Sequence, residues 1–520
     1  MQSASRALTY VLAVSMTLFT ASDLSAPVAA DVESPFCSLP PDPGVPWLPT
    51  TPLPQETIIP APRPASDCQF YRPAWQRFLV ATQPNQGLPA FVNYPSFPEM
   101  FGTSGTAPGP PDKFMLELSP RNVQRPNDPS DVMQKLLDNT QAGLDGAQGG
   151  YLIDQHGRFV YYAIHVNPAF LQFLRNQNLM TVDGIKHLDP SLTFLGTDSD
   201  IQTGINTNVV EYKSAWRIVD EHHPPSNYFL VPAHVPHYVV NGNSLTQEKR
   251  DGKPVFDTVE VALLALHVVF TLPGHPEMIW STFEHVHADG SGNVIRDNAP
   301  AAPDNPSKSD PSKEVSSDDF PLYKAHTLMK DANAPIQSLS TIVQFWDEKT
   351  QSFTKGKVIQ TSVYRPYPGS KTDGSVANPD HSEDDEIASI NRHATSLFND
   401  AKLKHQIADD DKRQYYRLVG AIWLDQPASG PNPSFLVKRS FTIDANQSTD
   451  DPGQPITGEG RLGSTAMESF TEFENGAPNC FSCHDTKTVK HNGPVLNPAR
   501  LNVSHVLSKY VIGQTTQTAK

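Results

Sequence analysis

The chain lacks the features that suit a protein to nucleic acid or to the interior of a membrane. Acidic residues outnumber basic ones by 56 to 40, which gives the 520 residues a formal net charge of −16 at pH 7. Nucleic-acid phosphates would be repelled by this charge, so we expect no nucleic-acid partner. After residue 30 no apolar run is long enough to cross a bilayer, so no membrane span is expected in the mature chain.

Common catalytic signatures are also missing. The sequence contains no glycine-rich phosphate loop, no Gly-x-Ser-x-Gly turn and no recognisable pair of catalytic carboxylates. Proline, in contrast, is abundant, with 49 residues, and this favours ordered loops and edge strands over extended helical bundles.

The first thirty residues are typical of a secretory signal peptide. Arg6 precedes an apolar run from Ala7 to Phe19, and small residues at 28–30 offer a cleavage site before Asp31. The run is short for a stable membrane anchor, so cleavage is favoured over an uncleaved helix. We therefore expect an exported protein, in the periplasm or secreted.

Cysteine is scarce, with four residues in the whole chain. Cys37 and Cys68 flank a proline-rich stretch, residues 38–66, that has no hydrophobic period of its own. In an oxidising compartment a disulfide between them is favoured over two free thiols. Such a bridge would close a loop of about thirty residues and stabilise the protein by roughly 3–4 kcal/mol in the chain-entropy model.

Segments with the period of β-strands outnumber those with the period of helices. Strands are predicted within residues 149–166, 208–219, 228–240, 259–272, 278–293, 340–366, 414–427 and 434–443. Helices are predicted within residues 128–146, 167–179 and 386–403. Because helices and strands do not alternate regularly, the prediction is an α+β fold, with a β-rich, mainly antiparallel body and peripheral helices.

The predicted organisation has five parts, and the last is a short C-terminal segment with a motif of its own. In chain order these parts are the signal peptide at 1–30, a Pro-rich N-terminal arm at 31–72, the β-rich body at 73–445 with a long polar loop at 296–319, a linker at 446–465, and the C-terminal segment at 466–520.

The motif in the C-terminal segment is CFSCH, residues 480–484, which has the C-x-x-C-H spacing of haem c attachment. Two thiols at this spacing reach the two vinyl groups of one porphyrin, and the histidine that follows can bind the iron from the proximal side. We therefore predict one covalent haem c, held by Cys480 and Cys483 with His484 as the proximal iron ligand. The C-terminal segment is accordingly the predicted haem-binding segment.

Two other interpretations of the motif are less favoured. A thioredoxin-like redox pair would need a preceding strand and a following helix within a βαβ unit, and neither is evident. A zinc site would need two more ligands, and the spacing of His491 and His505 matches no common zinc finger or ribbon.

The distal iron ligand stays open at this point. No methionine follows His484, so the downstream methionine of small class I cytochromes is missing. His505 is favoured, because enough chain separates it from His484 to wrap the porphyrin, and Met467 is the alternative. A histidine of the body such as His267, or a vacant position, also remains. Ligation by two histidines implies a lower potential than His/Met ligation, and a vacant position would permit small-ligand chemistry.

The body also contains several histidines in residues 222–237 and 285–287. A mononuclear metal site of histidines and a carboxylate is conceivable there. We favour polar strand faces and loop caps as the explanation.

Three stretches of the chain are similar to a known group of proteins: VVEYKSAWR, VALLALHVVFTLPGHPEMIWSTFEHV and AMESF…CFSCH. In these stretches the chain resembles large exported bacterial cytochrome c family proteins, in which a long body precedes a single C-terminal attachment motif. The resemblance implies haem c binding and electron transfer to an unidentified redox partner protein, with Cys480, Cys483 and His484 in the roles given above. An electron carrier is favoured over an enzyme. The alternative is a periplasmic haem-dependent oxidoreductase whose β-rich body binds a substrate.

Overall fold

The apolar, β-branched runs of the chain build a central sheet in the structure, which is a computed structural model. All residues that it describes lie in one unit, Phe36–Lys520. The described residues are 48, 68–101, 116–117, 119–120, 154–155, 158–195, 208–219, 225–241, 244–272, 275–288, 294–296, 312–314, 317, 320–322, 325–326, 328, 346–347, 352–353, 385–424, 456–458, 464, 466–467, 484, 489–490, 494–497 and 499–511.

Most of the strands are short, and the two longest have 17 and 14 residues. In chain order the strands are β1 Pro84–Asn85, β2 Leu88–Pro89, β3 Leu116–Glu117, β4 Ser119–Pro120, β5 Val160–Val166, β6 Val210–Ile218, β7 Leu230–Pro236, β8 Tyr238–Asn241, β9 Ser244–Gln247, β10 Lys249–Arg250, β11 Lys253–Pro254, β12 Phe256–Leu272, β13 His275–Ala288, β14 Val294–Arg296, β15 Trp346–Asp347, β16 Ser352–Phe353, β17 Tyr416–Leu424, β18 Ile456–Gly458, β19 Val489–Lys490 and β20 Pro494–Leu496.

The helices lie outside this sheet. In chain order they are α1 Cys68–Ala81, α2 Phe97–Phe101, α3 Pro168–Asn176, α4 Val182–Lys186 and α5 Asp385–Leu403, with 3₁₀ turns at Ala90–Asn93, Lys412–Tyr415 and Arg500–Val503 and a final helical turn over residues 506–511. Among the described helices none has the length and apolar character needed to cross a membrane.

The largest sheet among the described residues has ten strands and is mainly antiparallel. Its central order is β18-β17-β13-β12-β6-β5-β4, with β7 and β14 paired to β12 and β13. Among the strands that the structure describes, β3 and β7 are the one pair that runs in parallel. The body is thus a mainly antiparallel β-sheet with a few helices, compatible with the predicted α+β class.

Several predicted elements coincide with observed ones. The predicted segments 208–219, 259–272 and 386–403 correspond to β6, β12 and α5, and Asn167 caps α3 as its start signal predicts. The helix predicted at 128–146 and the strand at 434–443 lie outside the described residues, as does most of the 296–319 loop. Strand β18 lies within the predicted linker, and α1 runs across the predicted boundary at 72/73.

The two faces of the sheet bury different parts of the chain, because successive strand residues point to opposite sides. On the side that we call the helix face, Phe283 stacks on Phe78 of α1 with ring centroids 4.2 Å apart, and residues of α5 join the same core. The opposite side, the tail face, packs against residues 496–497 and 499–511, which we call the tail. Val269 and Trp280 of the sheet share a core there with Val503 and Val506 of the tail.

Candidate functional site

The predicted attachment motif is described at one position, His484, which is partly buried. Cys480 and Cys483 lie outside the described residues. His484 lies against the tail face of the sheet, since its imidazole contacts Trp280 of β13 and His505 of the tail. The site is therefore built from the sheet, the tail and the motif histidine.

Three contacts hold the His484 imidazole. Its Nδ1 lies 2.9 Å from the Val503 carbonyl oxygen. The Trp280 ring lies 4.1 Å from it between centroids, at an interplanar angle of 42°. The His505 ring stacks on it at 4.0 Å and 16°. Because a carbonyl only accepts hydrogen bonds, Nδ1 carries the proton and donates it, so Nε2 is the unprotonated nitrogen of the neutral ring.

Electrostatics favour this neutral form. Burial lowers the pKa of His484 well below its ordinary value, and electrostatic interactions with His505, Lys213 and His267 lower it further, whereas the Val503 carbonyl raises it. A neutral imidazole whose second nitrogen donates to a backbone carbonyl is the usual form of a metal-bound histidine. The surroundings of His484 therefore suit an iron ligand.

The register of the sheet brings polar residues together beneath His484. His267 of β12 pairs with Lys213 of β6 on one side and with Thr282 of β13 on the other. The His267 Nδ1 lies 2.8 Å from the Thr282 hydroxyl. Next to this row, Val269 pairs with Glu211 and with Trp280.

Glu211 ties the tail to the sheet. The Ser504 hydroxyl donates a hydrogen bond to Glu211 Oε2 across 2.7 Å, and both residues are buried. Burial raises the pKa of Glu211, while the Ser504 hydrogen bond and the positive charges of Lys213 and Lys509 act in the opposite direction. The hydrogen bond holds the tail at Ser504. This residue lies between Val503 and His505, the two tail residues that contact His484.

His505 is brought next to His484, as a distal ligand would need to be, but in a different orientation. The two rings lie face to face. Two imidazoles that share one haem iron approach it from opposite sides of the porphyrin, with their nitrogens directed at the metal. The assignment of His505 as distal ligand therefore stays a prediction.

Met467 lies on the tail face but in another cluster. It is fully buried with Tyr162, Ala215 and Leu264. The Tyr162 hydroxyl donates to the Ala466 carbonyl across 2.6 Å and so holds this part of the chain. Met467 packs against different residues from His484, and its assignment as the alternative ligand also stays a prediction.

The structure records Cys68 as disulfide-bonded. Cys37, its predicted partner, lies outside the described residues together with Cys480 and Cys483. The pairing of Cys37 with Cys68 therefore stays a prediction.

The body histidines make separate contacts. His237 Nδ1 lies 2.9 Å from Asp257, and His234 Nδ1 lies 3.2 Å from the Thr258 hydroxyl. His285 stacks on Tyr228 at 3.5 Å. Within the described part of the chain, no group of three or more histidine, cysteine, aspartate or glutamate residues is arranged to hold a metal ion.

Sequence reasoning did not identify Trp280, Val503 or the Glu211–Ser504 pair as parts of the site. The strand period gives the face on which Trp280 and Glu211 lie, but their contacts with His484 and the tail depend on long-range packing. No local pattern in the sequence encodes that packing.

The chain was compared with protein-family models, curated proteins and solved structures, and none of them matches.

Proposed function

We propose that this chain is an exported c-type cytochrome that carries a single haem and acts in electron transfer. The observation that supports the proposal most strongly is the C-x-x-C-H motif at 480–484, combined with the neutral, carbonyl-anchored imidazole of His484. Covalent haem attachment takes place on the outer side of the bacterial inner membrane, so the signal peptide and the motif have compatible roles.

A bound haem c supplies an iron that accepts and releases one electron. In the proposal, the thiols of Cys480 and Cys483 would hold the porphyrin as thioethers, each S–H adding across one vinyl C=C bond, and Nε2 of His484 would hold the iron. The Val503 carbonyl keeps the proton on Nδ1 and so leaves Nε2 to the metal. The sheet covers the imidazole on one side, where Trp280 excludes water from it.

His505 is the proposed distal ligand, and Met467 is the alternative. For His505 to reach the same iron, its ring has to leave the stack with His484. For Met467 to do so, it has to leave its cluster with Tyr162 and Leu264. The redox partner is proposed to be a protein, and the charge of −16 favours a partner with a basic docking surface.

The proposal is tested with the exported, matured protein and two variants. In the Cys480→Ser/Cys483→Ser variant we expect complete loss of covalently bound haem, measured by intact mass and by haem staining after denaturation. Ser482→Ala is the matched control, because it changes the motif at a position that contributes no thiol, and it should keep the haem. A double variant that retained covalent haem would contradict the attachment.

The spectrum of the same protein with and without carbon monoxide tests the distal ligand. If His505 occupies the distal position, the reduced protein binds carbon monoxide slowly or not at all, and His505→Ala opens the position to carbon monoxide. If Met467 occupies it, the oxidised protein shows the absorption of methionine ligation, and Met467→Ala removes that absorption. Rapid carbon monoxide binding by the wild-type protein would contradict both assignments.

A further inference from the structure

We infer that Trp280 is a positioning residue that sets the plane of the His484 imidazole. The inference rests on the proposed function, in which this imidazole binds the haem iron, and it concerns how the chain controls that ligand. The Val503 carbonyl fixes the direction of the ring through Nδ1. One hydrogen bond does not fix rotation of the ring about that direction. The rings of Trp280 and His505 do, and only the Trp280 contact remains once His505 leaves the stack to reach the iron.

The contact between the two rings is close and buried. Their centroids are 4.1 Å apart, and Trp280 has only 6% of its surface exposed. Trp280 is held between Val269 and Ile422, its pairing partners on the neighbouring strands β12 and β17. Its indole N–H donates to the Glu277 carbonyl across 3.3 Å. The indole is therefore fixed by its own strand and by both neighbours.

An irregularity in β13 presents Trp280 to the site. Phe270 pairs with Ile279, but Leu272 pairs with His275, so three residues of β13 face one residue of β12 between these pairs. Within this bulge, Met278 has a φ of 68°, although it is a bulky, fully buried residue. Side chains of this kind rarely adopt that backbone conformation, and such strain collects at functional sites. Bulges next to active sites commonly redirect a side chain.

The bulge is stabilised by a buried side-chain hydrogen bond at its start. The Glu277 carboxylate lies 2.7 Å from His275 Nδ1, and the Glu277 side chain is 1% exposed. The same residue provides the carbonyl that accepts the Trp280 indole N–H. Glu277 thus links the strained backbone to the orientation of the ring that packs on His484.

Trp280 would therefore control the iron ligand, His484, by setting the orientation of its ring. Residues in contact with a metal-bound histidine fix its ring plane and tune the metal, even though they do not bind the metal themselves. Without the flat face of Trp280, the His484 ring gains rotational freedom about the line from Nδ1 to the Val503 carbonyl.

Variants of the full-length, haem-loaded protein test the inference. Trp280→Met fills the space without a flat face, and Trp280→Phe keeps an aromatic face. The matched control is Trp423→Leu, because Trp423 is buried on the helix face, where it stacks on Phe70 at 3.9 Å. The readouts are covalent haem by mass, the electron paramagnetic resonance spectrum of the oxidised protein and the reduction potential.

We expect Trp280→Met to keep its haem but to show shifted and broadened g values and a shifted potential. Trp280→Phe should stay close to the wild type, and Trp423→Leu should lower the melting temperature without changing the g values. Wild-type g values and potential in Trp280→Met, or an equal shift in Trp423→Leu, would overturn the inference. If Trp280→Met does not fold, the inference is tested in the wild type by nuclear Overhauser contacts between the Trp280 indole and the His484 ring. The absence of these contacts would overturn the inference.

Failure of the proposed function has a different signature. If the matured wild-type protein has no haem, the proposed function fails, and the inference is judged on the imidazole alone. Nitrogen-15 and carbon-13 relaxation of the His484 ring should then show a fixed ring plane in the wild type and in Trp423→Leu, and increased ring motion in Trp280→Met, while the Nδ1–H tautomer is kept in all three. Equal ring motion in all three proteins would overturn the inference.

Discussion

Burial makes two histidines of this chain, His165 and His484, harder to protonate. His165 of β5 is 2% exposed and packs edge-on against Phe91. Burial lowers its pKa to about 4. Burial also lowers the pKa of His484, where neighbouring positive charges add to the effect. At neutral pH both rings are therefore uncharged.

His165 makes the stability of the protein dependent on pH. Its pKa is about 4 in the folded chain and about 6.5 when unfolded, so the unfolded chain binds the extra proton between these values. The stability conferred by the neutral ring is present above pH 6.5 and is lost as the pH falls towards 4. We expect His165 to contribute a loss of about 2 kcal/mol in unfolding free energy between pH 7 and pH 5.

Urea unfolding at pH 7 and pH 5 measures this loss. His165→Gln should reduce the difference between the two pH values by that amount. The control is Gln172→Ala, because Gln172 is exposed and carries no titratable group, and its pH dependence should stay that of the wild type. Equal pH dependence in His165→Gln and in the wild type would show that His165 does not titrate as its burial requires.

At the scale of the elements, the strongly periodic segments were predictable from the sequence. β6 is largely buried on both faces, β12 is nearly continuous in apolar residues, and α3 begins where Asn167-Pro168 predicts. α1 was not predicted, because Pro73 interrupts its pattern and the preceding proline-rich stretch suggests a loop. The site depends on pairing register and on the bulge at Met278, which local periodicity does not encode.

The N-terminus of α3 gives a prediction about one element. The Asn167 side chain accepts hydrogen bonds from the backbone N–H groups of Phe170 and Val210, and it donates to the Asn208 carbonyl. It therefore caps α3 and joins it to β6. We expect Asn167→Ala to lower the unfolding free energy by about 2 kcal/mol, since it removes a cap and leaves buried groups unsatisfied.

Asn167→Asp is the matched variant, because its carboxylate still accepts both hydrogen bonds and loses only the donor to Asn208. Chemical denaturation should place it between the wild type and Asn167→Ala. An Asn167→Ala variant as stable as the wild type would show that these hydrogen bonds do not hold α3 to the sheet.

The tail gives a second prediction at this scale. Ser504 supplies its hydrogen bond to buried Glu211. We expect Ser504→Ala to lower the unfolding free energy by about 1–3 kcal/mol, because a buried acceptor loses its donor. Hydrogen exchange should increase over residues 500–511. Ser508→Ala is the control, because the Ser508 hydroxyl donates to the His505 carbonyl within the tail and makes no bond to the sheet in this contact. Unchanged hydrogen exchange in Ser504→Ala would contradict the role of the Ser504–Glu211 hydrogen bond.

At the scale of the whole molecule, the cysteines divide into two predicted pairs with different chemistry. Cys68 is disulfide-bonded at the start of α1. If its partner is Cys37, the thiols of Cys480 and Cys483 remain for the haem. We expect peptide mapping without reduction to recover Cys37 and Cys68 as one linked pair. Cys37→Ser should lower the unfolding free energy by about 3 kcal/mol, since the closed loop has about thirty residues.

The haem-bound control for this prediction is the Ser482→Ala variant, which leaves all four cysteines in place. A linked peptide containing Cys68 with Cys480 or Cys483 would contradict the division of the cysteines and the proposed attachment together.

The most direct test of the central claim is mass mapping of the peptide that contains residues 477–490, taken from protein exported and matured in a cell that attaches haem c. The account predicts one haem joined to this peptide through both Cys480 and Cys483. A peptide of unmodified mass, recovered from the folded and exported protein, would contradict the account.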